Sequence, residues 1–339
     1  MFRFVVAAGA ALLALSSCAA PQQLATSAYS NPVLDADFPD PAVLKAPDGF
    51  YYAYATQTER DGKWVNLQVA RSRDLVHWDH LGDALPAKPT WASKTQDFWA
   101  PDVIRDGGRY VMYYSAKPDG SDERHGLCLG VATATQPQGP FTDMGHPLQC
   151  GEGFVNIDPM AFDDPATGKR LLYWGSGFKP IKVQELGPDR MSFAAGSVPK
   201  DLVSPNPVKD QFPVLIEGPW AVRHGSWYYL FYSGDNCCGT KANYAVMVAR
   251  SRSATGPFET LEQATGKAHS IILGARGNWI APGHNSVATD ASGRDWIVYH
   301  AVDVRRPRTK PTDEVNTRRI MLIDRIEWRD GWPVIASAN

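Results

Sequence analysis

The sequence predicts an all-β protein, a single five-bladed β-propeller with four-stranded antiparallel blades. Three observations lead there. One phrase recurs five times at intervals of about 60 residues: a polar or acidic residue near a proline, a short apolar strand, a Gly or Asp turn, then an aromatic strand. In three copies a second phrase follows, made of a third strand, a turn and a fourth strand. No stretch of any length carries the apolar period of an amphipathic helix.

In the first copy, Asp40-Pro41 opens the strand Ala42-Val43-Leu44, Pro47-Asp48-Gly49 turns it, and Phe50-Tyr51-Tyr52-Ala53-Tyr54 returns. In the second, Trp99-Ala100-Pro101-Asp102-Val103-Ile104 leads through Gly107-Gly108 to Tyr110-Val111-Met112-Tyr113-Tyr114. Asp158-Pro159-Met160-Ala161-Phe162 and Leu171-Leu172-Tyr173-Trp174 form the third. Glu217-Gly218-Pro219-Trp220-Ala221-Val222 and Trp227-Tyr228-Tyr229-Leu230-Phe231 form the fourth. His284-Asn285-Ser286-Val287-Ala288 and Trp296-Ile297-Val298-Tyr299 form the fifth. The later strands show in Leu67 to Ser72 before Leu75-Val76-His77-Trp78, in Leu129 to Thr133 before Gly139-Pro140-Phe141, and in Ala245 to Ser251 before Gly256-Pro257-Phe258. Trp332-Pro333-Val334-Ile335 is expected to supply the closing strand.

The chain has 339 residues, a net charge of -2, 44% hydrophobic and 21% charged residues, which excludes a disordered or membrane-spanning protein. Near-neutral charge argues against nucleic acid as a partner, since phosphate binding needs a concentrated basic face. The longest basic stretch, Arg305 to Lys310, is interrupted by proline and reads as a solvated loop. At the N-terminus, Arg3 precedes an apolar run from Phe4 to Leu15, too short to span a bilayer and suited to a signal segment. Leu15-Ser16-Ser17-Cys18 resembles a bacterial lipoprotein cleavage box; the alternative is an ordinary signal peptide cut near Cys18-Ala19-Ala20. The expected division is a signal over residues 1–17, a polar tether over 18–30 and the propeller over 31–339. Either cleavage exports the folded part, to the periplasm or cell surface as a lipoprotein anchored through Cys18, or as a secreted protein. Export makes cysteines disulfide candidates. Cys128 and Cys150 flank a short strand-and-turn stretch and can pair; adjacent Cys237 and Cys238 form a vicinal bridge or remain thiols. Neither pair has metal-ligand spacing.

In a propeller the innermost strand of each blade runs along the central channel, so the residues opening those strands gather at one end of the axis. Asp40, Asp158, Glu217 and His284 are read at that position, with Trp99 in the second blade. A single Asp-Pro is commonly a turn opener. Three acids on one register of a five-fold repeat point instead to chemistry, because clustered carboxylates repel and shift each other's pKa. Carboxylates facing a pocket suit glycoside hydrolysis, one as acid towards the leaving oxygen and another as base or nucleophile. Trp99, Phe98 and Trp220 are candidate rings for stacking on sugar, with blade packing the alternative for Trp220.

At these residues the chain resembles glycoside hydrolase family 43, the arabinanases, arabinofuranosidases and β-xylosidases. The resemblance runs from about Asn31 to the C-terminus. It is carried by Phe38-Pro39-Asp40-Pro41, Phe98-Trp99-Ala100-Pro101-Asp102, Asn156-Ile157-Asp158-Pro159, Glu217-Gly218-Pro219 and Gly283-His284-Asn285-Ser286, one marker per blade in order. It implies an inverting mechanism with Asp40 as general base, Glu217 as general acid and Asp158 tuning and orienting that acid. Inversion implies base and acid about 6.5–9.5 Å apart. It also implies that Arg319 reaches the sugar in the deepest subsite, with Arg318 leaving the register open by one. His284 resembles the histidine that family members use to hold an axial ion, often Ca2+, mainly through water; the alternative is a histidine hydrogen-bonding near Glu217. Asp102 lies off the shared register and is the runner-up acid, read as a loop anchor. No organic cofactor is expected.

Tyr173-Trp174-Gly175-Ser176-Gly177 followed by Ile181-Lys182-Val183 resembles the third blade of arabinanases, and Asn236-Cys237-Cys238-Gly239 before Asn243-Tyr244 resembles a loop found there. The C-terminal β-sandwich of many family xylosidases is not expected, since Asn339 follows the fifth blade directly. Phe38-Pro39-Asp40-Pro41 is closer to exo-acting members, so the mode of cleavage stays open. The expected substrate is an oligo- or polysaccharide with α-L-arabinofuranosyl linkages. A β-xylosidase and a non-catalytic sugar-binding propeller are the alternatives.

Overall fold

The computed structural model describes residues 1–2, 29–121, 126–206, 212–310 and 317–336. Five antiparallel sheets, each built on four strands in sequence order, stand round a common axis. The innermost strands are Ala42–Lys45, Phe98–Asp106, Met160–Asp163, Ile216–His224 and Trp279–Thr289. The aromatic second strands are Tyr51–Ala55, Arg109–Ala116, Arg170–Trp174, Trp227–Asn236 and Asp295–Asp303.

The repeated aromatic strand is explained by its burial. Every residue of Tyr51–Ala55 is buried, because a middle strand has a neighbouring blade on each face. Side chains alternate between the two faces with period two. Tyr52 and Tyr54 therefore enter the core shared with blade two, while Tyr51 and Ala53 enter the core shared with blade five. The same division holds for Met112 and Tyr114 against Val111 and Tyr113 in blade two. Separate cores fill the junctions of blades three with four and four with five, so the five junctions close a ring of apolar contacts. This packing holds the inner strands where the site is built.

Some details differ from the sequence reading. The fourth strands of blades two and four shrink to Thr142–Asp143 and Glu259–Thr260, just beyond the Gly-Pro-Phe turns, and Gln149–Cys150 and Ile271–Leu273 add to those sheets. Trp332–Ala336 is the fourth strand of blade five, paired with Arg325 to Arg329. It covers only half of that edge. The other half is taken by the N-terminal segment, where Leu34 bridges Met321 and the Phe38 N–H donates to the Arg319 carbonyl at 2.7 Å. Tyr29, read as tether, packs edge-on against Trp296 at 5.0 Å and so belongs to the propeller. Cys18 and the rest of the signal and tether, residues 3–28, lie outside the described residues. Cys128 bonds Cys150 across paired strands, and Cys237 bonds Cys238.

Candidate active site

Each inner strand is entered through a residue in the left-handed backbone region: Asp40 (φ 57°), Ala100 (45°), Asp158 (57°), Gly218 (59°) and His284 (47°). Four of these precede proline, a setting in which this conformation is strained and needs surrounding support. Asp40 and Asp158 stand just ahead of their strands, whereas Ala100, Gly218 and His284 interrupt theirs, where the pairing register shifts. The kinks also correct the register. Asp40, Asp158 and His284 occupy the kink, but Trp99 and Glu217 stand one residue earlier, beside Ala100 and Gly218. The pairing of Trp99 with Ser115 and of Glu217 with Ser233 fixes that offset.

Despite the offset, the acids meet. Asp40 Oδ1 receives Arg319 Nη1 at 2.9 Å, with His300 Nδ1 at 3.1 Å and His284 Nδ1 at 3.4 Å. Its other oxygen accepts from the Thr56 hydroxyl at 2.5 Å. His284 Nδ1 is also 3.9 Å from Asp158 Oδ2, which accepts the Gly218 N–H at 3.0 Å. Glu217, half-buried, accepts the Tyr244 hydroxyl at 2.7 Å.

The three carboxylates are held in different states. Burial alone would raise the pKa of Asp40, but Arg319, then His284, hold it well below the usual carboxylate range. Asp158 is pushed well above that range by burial, by Glu217 and by Asp40. Burial raises Glu217 to about 7; Asp40 adds to the rise, while Tyr244 and Arg319 oppose it. Asp158 and Glu217 are coupled, and a pair of close acids in one mouth retains a proton that neither would hold alone.

The aromatic candidates separate. Trp99 is half-buried at the mouth and stacks on the exposed ring of Phe154, 6.2 Å between centroids and 12° between planes. Phe98 is 0% exposed inside the core between blades one and two, so it is unavailable to a sugar. Strand alternation turns it away from its neighbour. Trp220 packs against the cores on both sides of blade four, which is the blade-packing alternative. Of the two arginines, Arg319 bonds Asp40, whereas Arg318 pairs with Asp35. Asp102 is buried between blades two and three, where it accepts the Ala161 N–H at 2.8 Å; burial raises its pKa to about 7. It anchors an inner strand. Thr56, His300, Tyr244 and Phe154 were not singled out from the sequence. The first two follow the repeated aromatic strand at a fixed offset, the one signal that marked them.

Among the described residues, no three His, Cys, Asp or Glu side chains stand close enough to hold a metal ion directly. Next to His284, however, Asn285 Oδ1 and Ser286 Oγ are buried oxygens without a partner, and oxygen donors suit calcium.

A mouth that keeps one carboxylate ionised and another protonated, beside an exposed aromatic face, has what acid–base cleavage of a glycosidic bond requires. That chemistry on this fold defines a propeller glycoside hydrolase. The model of glycosyl hydrolases family 43 matches residues 29–333, and the chain belongs to that family. Among curated relatives, a probable arabinan endo-1,5-alpha-L-arabinosidase A of Aspergillus flavus is 27% identical over 311 residues, covering 87% of this chain and 90% of that protein. The extracellular endo-alpha-(1->5)-L-arabinanase 1 of Bacillus subtilis is 27% identical over 348 residues, covering 98% and 97%. Among solved structures, an exo-1,5-alpha-L-arabinanase from a bovine ruminal metagenomic library superposes with a TM-score of 0.72 at 26% identity, covering 90% of this chain and 99% of that one.

Proposed function

We propose that the protein hydrolyses α-L-arabinofuranosyl linkages of arabinan with inversion at the anomeric carbon. Asp40 is the general base: it takes a proton from the water that attacks that carbon. Glu217 is the general acid, delivering its proton to the departing glycosidic oxygen on the other side. Asp158 titrates together with Glu217 and lies beside it as the residue that orients the acid, its own position fixed by the Gly218 N–H. Arg319 holds Asp40 ionised and can meet the sugar, while Trp99 and Phe154 offer a stacking face. One observation carries the reading: Asp40 sits on the Arg319 guanidinium at 2.9 Å whereas Glu217 is held by the neutral Tyr244 hydroxyl at 2.7 Å, surroundings that lower Asp40 and leave Glu217 raised by burial, and so separate base from acid.

Arabinan is favoured over xyloside by the relatives, which are named for arabinan cleavage across fungal and bacterial sources. Endo cleavage follows the names of the curated relatives, and the exo reading is kept by the ruminal enzyme. Linear arabinan and 4-nitrophenyl arabinofuranoside and xyloside substrates distinguish these modes, since a product ladder from arabinan with little release from the small substrates marks endo action. Glu217→Gln and Asp40→Asn are expected to lower kcat by about a thousandfold or more while the fold survives. Near-normal turnover in either variant contradicts the assignment. The anomer first released, followed by NMR, tests inversion.

Export is proposed on the apolar leader at residues 4–15 and on relatives named extracellular, with lipid on Cys18 as its finer form. Metabolic labelling of wild type against Cys18→Ala decides the lipid. Calcium is proposed as a structural ion held mainly through water near His284, with Asn285 and Ser286 as its oxygen donors. EDTA is then expected to lower Tm and added calcium to restore it.

A further inference from the structure

One left-handed kink from each blade is tied into a belt of hydrogen bonds across the blade junctions. The His284 N–H donates to Ser233 Oγ at 2.8 Å, the Asp158 N–H to Ser115 Oγ at 2.9 Å, the Ala100 N–H to Thr56 Oγ1 at 2.8 Å, and the Asp40 N–H to His300 Nδ1 at 3.1 Å. Each acceptor comes from the same position of the preceding blade, towards the end of the aromatic strand or just past it. In blade three that position is Gly175, which has no side chain to offer. There the Gly218 N–H turns instead to Asp158 Oδ2. The belt therefore runs through a carboxylate of the site at one junction.

At another junction it meets a second one. A hydroxyl has a single proton and accepts with its lone pairs. Thr56 Oγ1 accepts the Ala100 N–H, and its own proton goes to Asp40 Oδ2 at 2.5 Å. Among the described residues it is the one belt hydroxyl that also binds a carboxylate. Thr56 is 4% exposed, so water does not replace it. Arg319, His284 and His300 all approach Asp40 Oδ1, which among the described residues leaves Thr56 alone to fix the far oxygen and hence the plane of the carboxylate.

We propose that Thr56 is a positioning residue for Asp40, setting the carboxylate plane through a hydroxyl whose direction is dictated by the Ala100 N–H. The proposal rests on the reading of Asp40 as general base. Thr56→Val keeps the methyl packing and removes the hydroxyl; Thr56→Ser does the reverse. On linear arabinan, Thr56→Val is expected to lower kcat by about tenfold or more with KM changed less than about twofold, and Thr56→Ser to recover kcat to within about threefold of wild type. A purely structural role would lower the folded fraction and Tm without lowering kcat per folded molecule, and the serine variant would share the loss. Should the valine variant not fold, Thr56→Cys gives the same comparison with a weak donor. Wild-type kcat in the valine or cysteine variant, or equal impairment in the serine variant, overturns the proposal. If Asp40→Asn is inactive while Thr56→Val is normal, this inference alone fails; an active Asp40→Asn instead removes the reading beneath it.

Discussion

At the scale of single residues, the site works by giving chemically similar groups different surroundings. Asp40 has Arg319 and two imidazoles beside it, while Glu217 has a phenol and other acids. The consequence reaches stability as well as catalysis. Folded Glu217 keeps its proton up to about pH 7 but releases it near its ordinary value of 4.5 when unfolded. The folded state binds more protons between those values, so this group destabilises the fold progressively as pH rises through that window. Glu217→Gln removes the titration. Its Tm is expected to exceed that of wild type at pH 8 and to match it near pH 4, in melts followed by circular dichroism. Wild-type kcat should fall as pH rises through about 7, because the acid is then ionised. At this scale the sequence was legible where side chains announced chemistry, as at Asp40, Asp158 and Glu217. For Thr56 and His300 it offered only their place after the repeated aromatic run, because their types are ordinary and their role comes from contacts across the fold with Asp40 and Ala100.

At the scale of the strand, glycine decides how closely two elements approach. A Cβ on Gly283 would stand 1.9 Å from the ring of Tyr244, whose hydroxyl holds Glu217. Gly130 is a matched case away from the acids, since its Cβ would lie 2.3 Å from the ring of Tyr114 in the core between blades one and two. Both alanine variants overpack an aromatic ring and should lose about 1–3 kcal/mol of stability. Only Gly283→Ala displaces the hydroxyl from the acid, so it alone is expected to lose kcat, by about tenfold or more. Equal kcat in the two variants would mean that Tyr244 only packs. Strand positions were readable because alternation and aromatic content mark a doubly covered strand. The register of the acids was misread by one residue for Glu217 and Trp99, since nothing in Glu217-Gly218-Pro219 tells which residue carries the kink. The dihedrals do: the residue before proline takes it in blades one to four.

At the scale of the molecule, five blades were countable because each repeats its own phrase, but the way the ring closes was not. Trp332-Pro333-Val334-Ile335 was expected to supply the closing strand. The segment before Asp40 shares the task, completing the sheet with side chains as well as backbone, and its pairing is too short to show as a strand in the sequence. The Asn31 amide donates to the Ile323 carbonyl at 2.8 Å and accepts the Ile323 N–H at 3.0 Å, imitating a strand residue. Further along, Leu34 meets Met321, and Asp37 Oδ1 accepts the Arg319 N–H at 2.9 Å. The clasp thus ends on the arginine that holds Asp40. Loosening it at Asn31 should propagate along this edge towards Arg319 before the blade junctions part, because every junction is held by its own apolar core. Asn31→Ala removes two buried-edge hydrogen bonds, worth about 1–3 kcal/mol together. It is expected to lose activity several degrees below its own unfolding transition by circular dichroism, whereas wild type loses both together. Coincident loss of activity and structure in the variant would show that the clasp unfolds only with the whole propeller.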